Sequence, residues 1–214
     1  MTTRAISLRL PALLACLSLP LIAHAGSIIP SPASSYTEFH VEAGLTYASG
    51  VNKVMDQMET NFGLDRDYVW PIGIKLDAYA KTQSGFGYGG GIGPCTFIQV
   101  KEHGDHYYRH YDDDKWSYII PVFADVRFYF PKNGSLTPYV RAGVAYPIAG
   151  GDYIGSGTPG PLVAVGMHVW EHRILAVGVE AGYDASKVEV KAGYLHQAEK
   201  VNPTAFTISV FATF

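Results

Sequence analysis

Beyond residue 36 the chain alternates apolar and polar positions with a period of two, in eight stretches. These are Thr37 to Tyr47, Pro71 to Lys81, Gly85 to Val100, Ser117 to Phe130, Leu136 to Tyr146, Pro161 to Trp170, Ile174 to Tyr183 and Thr204 to Phe214. In the first, Phe39, Val41, Ala43, Leu45 and Tyr47 oppose His40, Glu42, Gly44 and Thr46, as in a β-strand whose two faces meet different media. The second sets Ile72, Ile74, Leu76, Ala78 and Ala80 against Lys75, Asp77, Tyr79 and Lys81; the third puts Gly87, Gly89, Gly91 and Gly93 on one face. Each stretch reaches the roughly 9–11 residues that a tilted strand needs to cross a bilayer.

The connections alternate in length. Thr82-Gln83-Ser84, Pro131 to Ser135 and the corner at Glu171-His172 are short; Ala48 to Val69, Lys101 to Trp116, Pro147 to Gly160 and Asp184 to Pro203 are long. Beyond Gly26 no apolar run approaches the roughly 20 residues of a membrane helix. The pattern therefore predicts an all-β fold, an up-and-down antiparallel transmembrane barrel of about eight strands, with turns at one end and mobile loops at the other. The face opposite the apolar one carries His40, Glu42, Lys75, Asp77, Asp125, Arg127, Arg141 and Glu180, both signs together, which predicts a paired charge network in the lumen. A lipocalin-like soluble barrel would show the inverse, apolar inside, and is the disfavoured alternative. At about eight strands the bore is narrow enough for side chains to fill, and the glycine face of the third strand leaves room for neighbouring arginines and tyrosines.

Composition agrees: 23 glycines, 15 tyrosines and 16% charged residues suit strands and turns. Met1 to Ala25 reads as a signal peptide, with Arg4 and Arg9, an apolar Leu10 to Ile22, and Ala23-His24-Ala25 before a cleavage at Gly26. A lipoprotein box at Leu13 to Cys16 is the competing reading. Cleavage removes two of 16 basic residues and no acid, leaving 14 against 19, a formal charge of −5 that disfavours nucleic acid as a partner. It also removes Cys16, so Cys95 has no intrachain disulfide partner. Residues 26–35 form a Pro/Ser-rich flexible leader and 36–214 the barrel domain.

Ile120-Pro121-Val122-Phe123-Ala124 before a short turn, Pro138 to Val144, and the ending Phe206 to Phe214, apolar at alternate positions and closed by an aromatic residue, together resemble the small outer-membrane β-barrel proteins of the outer membrane protein A, X and opacity-protein type. That resemblance implies a Gram-negative outer membrane, lipid and lipopolysaccharide as surroundings, and the barrel assembly machinery as a partner reading Phe214. It implies a structural or surface-interaction role and brings no shared catalytic residues; the expectation is a monomer that meets an extracellular ligand through its loops.

Other motifs read blandly. His168-Val169-Trp170-Glu171-His172 matches an inverted zincin pattern that works only on a helix, and here it continues a strand. Gly85 to Gly90 matches G-x-G-x-x-G without the strand–turn–helix setting that phosphate binding requires. The loop Lys101 to Trp116 holds His103, His106 and His110, candidate zinc or copper ligands, against the preferred reading of a solvated aromatic loop. The expectation is no enzyme and no cofactor. A barrel-embedded lipid A-modifying enzyme or a narrow ion pore through the lumen charges are the alternatives; no His-x-Ser pair of the deacylase kind occurs.

Overall fold

The computed structural model describes residues 37–64, 69, 71–101, 114–131, 133–172, 175–193 and 196–214. The signal peptide, the leader and His103, His106 and His110 lie outside these.

The alternating stretches become strands β1 (Thr37–Ala48), β2 (Ile72–Thr82), β3 (Phe86–Ile92), β4 (Thr96–Lys101), β5 (Asp114–Tyr129), β6 (Thr137–Gly151), β8 (Gly160–His172), β9 (Leu175–Asp184) and β12 (Ala205–Thr213), with shorter β7 (Ile154–Thr158), β10 (Lys187–Val190) and β11 (Glu199–Val201) and one helix, α1 (Val51–Phe62). β1 pairs with both β2 and β12, and the sheet runs on through β9, β8, β6 and β5 to β3, which returns to β2. The wall thus closes, with Gly90 facing Ala78 on one side and Ala124 on the other. All wall pairings are antiparallel, and β3 and β4 are two parts of one stave, so eight staves form the barrel.

Two expectations need correction here. The single third strand is broken at Gly93 to Cys95: Gly93 has φ +105, in the region that favours glycine, and the last tie to β2 is Cys95 N donating to Ile74 O at 3.3 Å. Beyond it β4 stays paired with β5, from Thr96↔Ile119 to Lys101↔Asp114. The third long connection is largely strand, because β6 runs on to Gly151 and β7 follows.

The outer face is apolar. Val41, Leu45, Ile72, Ile74, Val126, Val140, Val144, Val163, Val165, Val179, Ile208 and Val210 are all exposed, an arrangement stable in hydrocarbon and not in water. Rings flank this belt at the turn end (Phe39, Phe86, Phe128, Phe130, Trp170, Phe214) and at the loop end (Tyr47, Phe97, Trp116, Tyr118, Tyr146, Tyr183), the positions of the two interfacial girdles. Phe39 to Tyr47 is eight residue steps; at about 3.3 Å each and a tilt near 40° they rise roughly 20 Å, which with the rings matches a thin bilayer. Trp170 reaches its girdle through a bulge: the β8–β9 register shifts between His168 and Trp170, so both Val169 and Trp170 face outward and the Trp170 ring stacks on His172.

Candidate functional site

Two features inside this wall hold its polar and reactive chemistry, the charged lumen and the closure of the loop end. The lumen network is built by β1, β2, β5, β6 and β9. Arg127, fully buried, donates from Nη1 to Glu42 Oε2 at 2.9 Å, from Nε to Asp125 Oδ1 at 3.0 Å, and from Nη2 to Asp77. Arg141 donates from Nη2 to Asp125 Oδ2 at 2.6 Å and from Nη1 to Glu180 Oε1 at 3.2 Å, with Nη2 also 3.3 Å from Asp77 Oδ2. Lys75 donates to Glu180 Oε1 at 2.7 Å and lies 3.7 Å from Glu42 Oε1. The Tyr139 hydroxyl donates to Glu180 Oε2 at 2.8 Å. Planar guanidinium forks meeting carboxylates at these distances are the strong form of the ion pair.

Rings cover the network. Arg127 lies over the Tyr79 ring at 4.1 Å, and Arg141 and Lys75 lie over the Phe123 ring at 4.4 and 5.8 Å. On its turn-end side Tyr79, Tyr129, Tyr139 and Phe211 form a buried aromatic cluster, with the His168 ring 5.9 Å from Tyr129 and Tyr139 and 5.7 Å from Phe211. Glycines make the space: a Cβ on Gly166 would meet the Tyr139 ring at 2.4 Å and one on Gly178 the Phe211 ring at 2.3 Å. The third strand does the same at Gly91, where a Cβ would meet the Phe123 ring at 2.7 Å, while one on Gly89 would meet the Cβ of the cross-strand Tyr79 at 2.5 Å.

Of the eight charges expected in the lumen, seven meet in this network. His40 does not. It sits near the turn-end mouth, pairs with Glu38 at 3.4 Å with a quarter of its side chain exposed, and stacks on Tyr79. One step closer to the strand end, an inward residue already reaches water. Phe214 stands 62% exposed at the turn end, with its backbone N–H and carbonyl both bonded to Val41. The H-x-x-E-H stretch lies on strand β8, and the glycine motif runs from the turn at Gly85 into β3. Among the described residues no group of three or more His, Cys, Asp or Glu is placed to hold a metal ion.

The loop end was expected to carry mobile loops; three of the four instead fold into a cap with its own core. Helix α1 repeats apolar residues at Val51, Val54, Met55, Met58 and Phe62, the spacing of one helical face, and ends in a left-handed Gly63 whose N–H caps Glu59 O at 2.8 Å. β10 pairs with β7 and β11 in a small three-stranded sheet. Val54, Met55 and Met58 of the helix, Tyr153 and Ile154 of the third connection and Val188 and Val190 of β10 bury together with Ile98 and Ile119 from the upper barrel wall. Inside the barrel the lining therefore changes from ionic at mid-depth to apolar at the loop end. Polar pins fix the cap: the buried Asn61 amide donates to Lys191 O at 2.9 Å, and Asp184 accepts from Thr204 Oγ1 and from Ser186 N, both at 2.7 Å. A Cβ on Gly50 would lie 2.2 Å from Asn202 O, so the helix start can seat on the fourth connection only as glycine.

The sequence matches no family model and no curated protein. Solved structures similar to the chain include the outer membrane protein OprG from Pseudomonas aeruginosa, at 13% identity over 84% of this chain and 97% of that one, with a TM-score of 0.51. Neisserial surface protein A aligns at 11% identity over 84% of this chain and 98% of its own, TM-score 0.43. The outer membrane protein AlkL, solved in lipid bilayers, aligns at 14% identity over 86% and 93%, TM-score 0.47. The first of these likenesses establishes a shared fold, that of the small outer-membrane barrel.

Proposed function

We propose that the protein resides in a bacterial outer membrane and acts at the cell surface, presenting its folded cap to an extracellular ligand or to the lipopolysaccharide layer, with the chain ends and short turns on the periplasmic side. The observation that carries this reading is the cap: a helix and a three-stranded sheet with a buried core, built from the long connections of a barrel whose outer wall is apolar. Ordering those connections costs conformational entropy, and a surface that is shaped in advance spares a binding partner that cost. The barrel below serves as anchor, and the ionic network and ring cluster that fill its bore support anchoring over conduction. Insertion through the barrel assembly machinery, with Phe214 as the terminal signal, belongs to the same proposal.

Single cysteines test the orientation in intact cells, in a Cys95→Ser background, with a membrane-impermeant maleimide. Lys53→Cys and Lys200→Cys, both exposed on the cap, are expected to label, and Asn133→Cys in the β5–β6 turn only after the envelope is opened. Labelling of Asn133→Cys alone in intact cells would reverse the orientation and defeat the proposal.

A further inference from the structure

The lumen network has one more acid than base. Glu42, Asp77, Asp125 and Glu180 face Lys75, Arg127 and Arg141, and no side chain of the seven is more than 6% exposed. A buried net charge is costly in a medium that cannot solvate it, unlike a buried neutral network. The surplus is localised by the bonding. Asp125 and Glu180 use both carboxylate oxygens in hydrogen bonds. Glu42 and Asp77 use one each, while Glu42 Oε1, 3.7 Å from the Lys75 ammonium, and Asp77 Oδ1 are buried and accept no hydrogen bond. The same two residues stand directly opposite each other across β1 and β2 and are gripped by the two ends of a single guanidinium, that of Arg127. Their carboxylates are therefore side by side, and each has an oxygen with unused lone pairs.

We propose that Glu42 and Asp77 form a binding site for one small monovalent cation, a proton or an alkali ion, that neutralises the lumen network. Toward the turn-end mouth lie His40 of β1 on Tyr79, Lys81 of β2 over the Tyr129 ring and His168 of β8 against Tyr129 and Tyr139; the groups facing the site itself are Lys75 and Tyr79 of β2, Asp125, Arg127 and Tyr129 of β5, Tyr139 and Arg141 of β6 and Glu180 of β9. Each cation among them already bonds to a carboxylate. One positive charge balances the surplus and two would overshoot it, and among the described residues no group of three or more His, Cys, Asp or Glu is placed to hold a metal ion. The proposal does not depend on what the cap binds.

The test is urea unfolding of the full chain refolded in detergent micelles, along two axes: pH from about 6 to 9 in choline chloride, and sodium or potassium against choline at constant ionic strength and pH. A bound proton that the unfolded chain lacks makes unfolding easier as pH rises, up to tenfold in the unfolding constant per pH unit. A histidine buried neutral would give the opposite sign. A bound alkali ion instead lowers the unfolding constant as sodium or potassium replaces choline. Asp77→Asn and Glu42→Gln, which remove the surplus charge at nearly constant shape, are expected to fold and to lose whichever dependence the parent shows. A parent protein indifferent on both axes, a dependence that survives both substitutions, or failure of both variants to fold would overturn the proposal.

Discussion

Arg127→Met probes how far the barrel depends on its lumen charges. The change leaves a side chain of comparable length in the bore and removes the cation that bonds Glu42, Asp77 and Asp125. None of the three acids loses every cation, because Asp125 keeps Arg141 at 2.6 Å, Asp77 keeps Arg141 at 3.3 Å and Glu42 keeps Lys75 at 3.7 Å. Hydrogen bonds to charged groups contribute roughly 1.5–3 kcal/mol each; the retained partners and the relieved burial of a guanidinium offset much of that sum. Removing one partner of a buried ion pair costs about 3–5 kcal/mol, and loss of the cation over Tyr79, 4.1 Å from the ring centroid, adds about 1 kcal/mol. We expect a loss of about 4–6 kcal/mol, measured as the shift in urea unfolding in lipid vesicles followed by tryptophan fluorescence. The double variant Arg127→Met/Asp77→Asn removes an acid left with only the longer ion pair to Arg141 and should recover about 1–3 kcal/mol of coupling. A single-variant cost under about 1 kcal/mol, or strict additivity in the cycle, would refute the view that Arg127 organises the network.

Other substitutions separate the remaining parts. Met58→Ala, fully buried in the cap core, should cost about 2–4 kcal/mol locally, so that limited proteolysis cuts the cap while the barrel stays folded on an unheated gel. Val210→Arg, 57% exposed on the lipid face and paired to Val179 and Leu45, should cost about 2–4 kcal/mol of membrane stability, whereas Val210→Leu is neutral in the same refolding assay. Asp184→Ala releases the Thr204 hydroxyl and the Ser186 N–H together and should lower stability by about 1–3 kcal/mol, with faster hydrogen exchange confined to residues 184–205.

The wall was legible because its two faces meet unlike media, so each strand carries its own orientation in the sequence. Arg127 and Val126 could not exchange faces without placing a guanidinium in lipid, and one such conflict per strand fixes the register. The alternation fails where the backbone departs from it: Trp170 reads as inward, and only the bulge after His168 turns it to the girdle. The break at Gly93 to Cys95 left a faint signal in Gly93-Pro94, since proline cannot donate to a ladder. The cap was hidden for another reason. Val51, Val54, Met55, Met58 and Phe62 do show helical spacing, and Lys187-Val188-Glu189-Val190 does alternate, but each segment is too short to predict a core whose members lie more than a hundred residues apart. Which acids share which base is likewise a property of the closed barrel. His40, polar and inward by pattern, was placed in the network when its depth puts it at the mouth.

The most direct test of the account is electrophoresis of the membrane fraction, unheated against boiled. A closed transmembrane barrel resists detergent until heated, so the two samples are expected to run at different apparent masses, with the protein extracted only by detergent. Identical migration of the two samples, with recovery of the protein in the soluble periplasmic fraction, would contradict it.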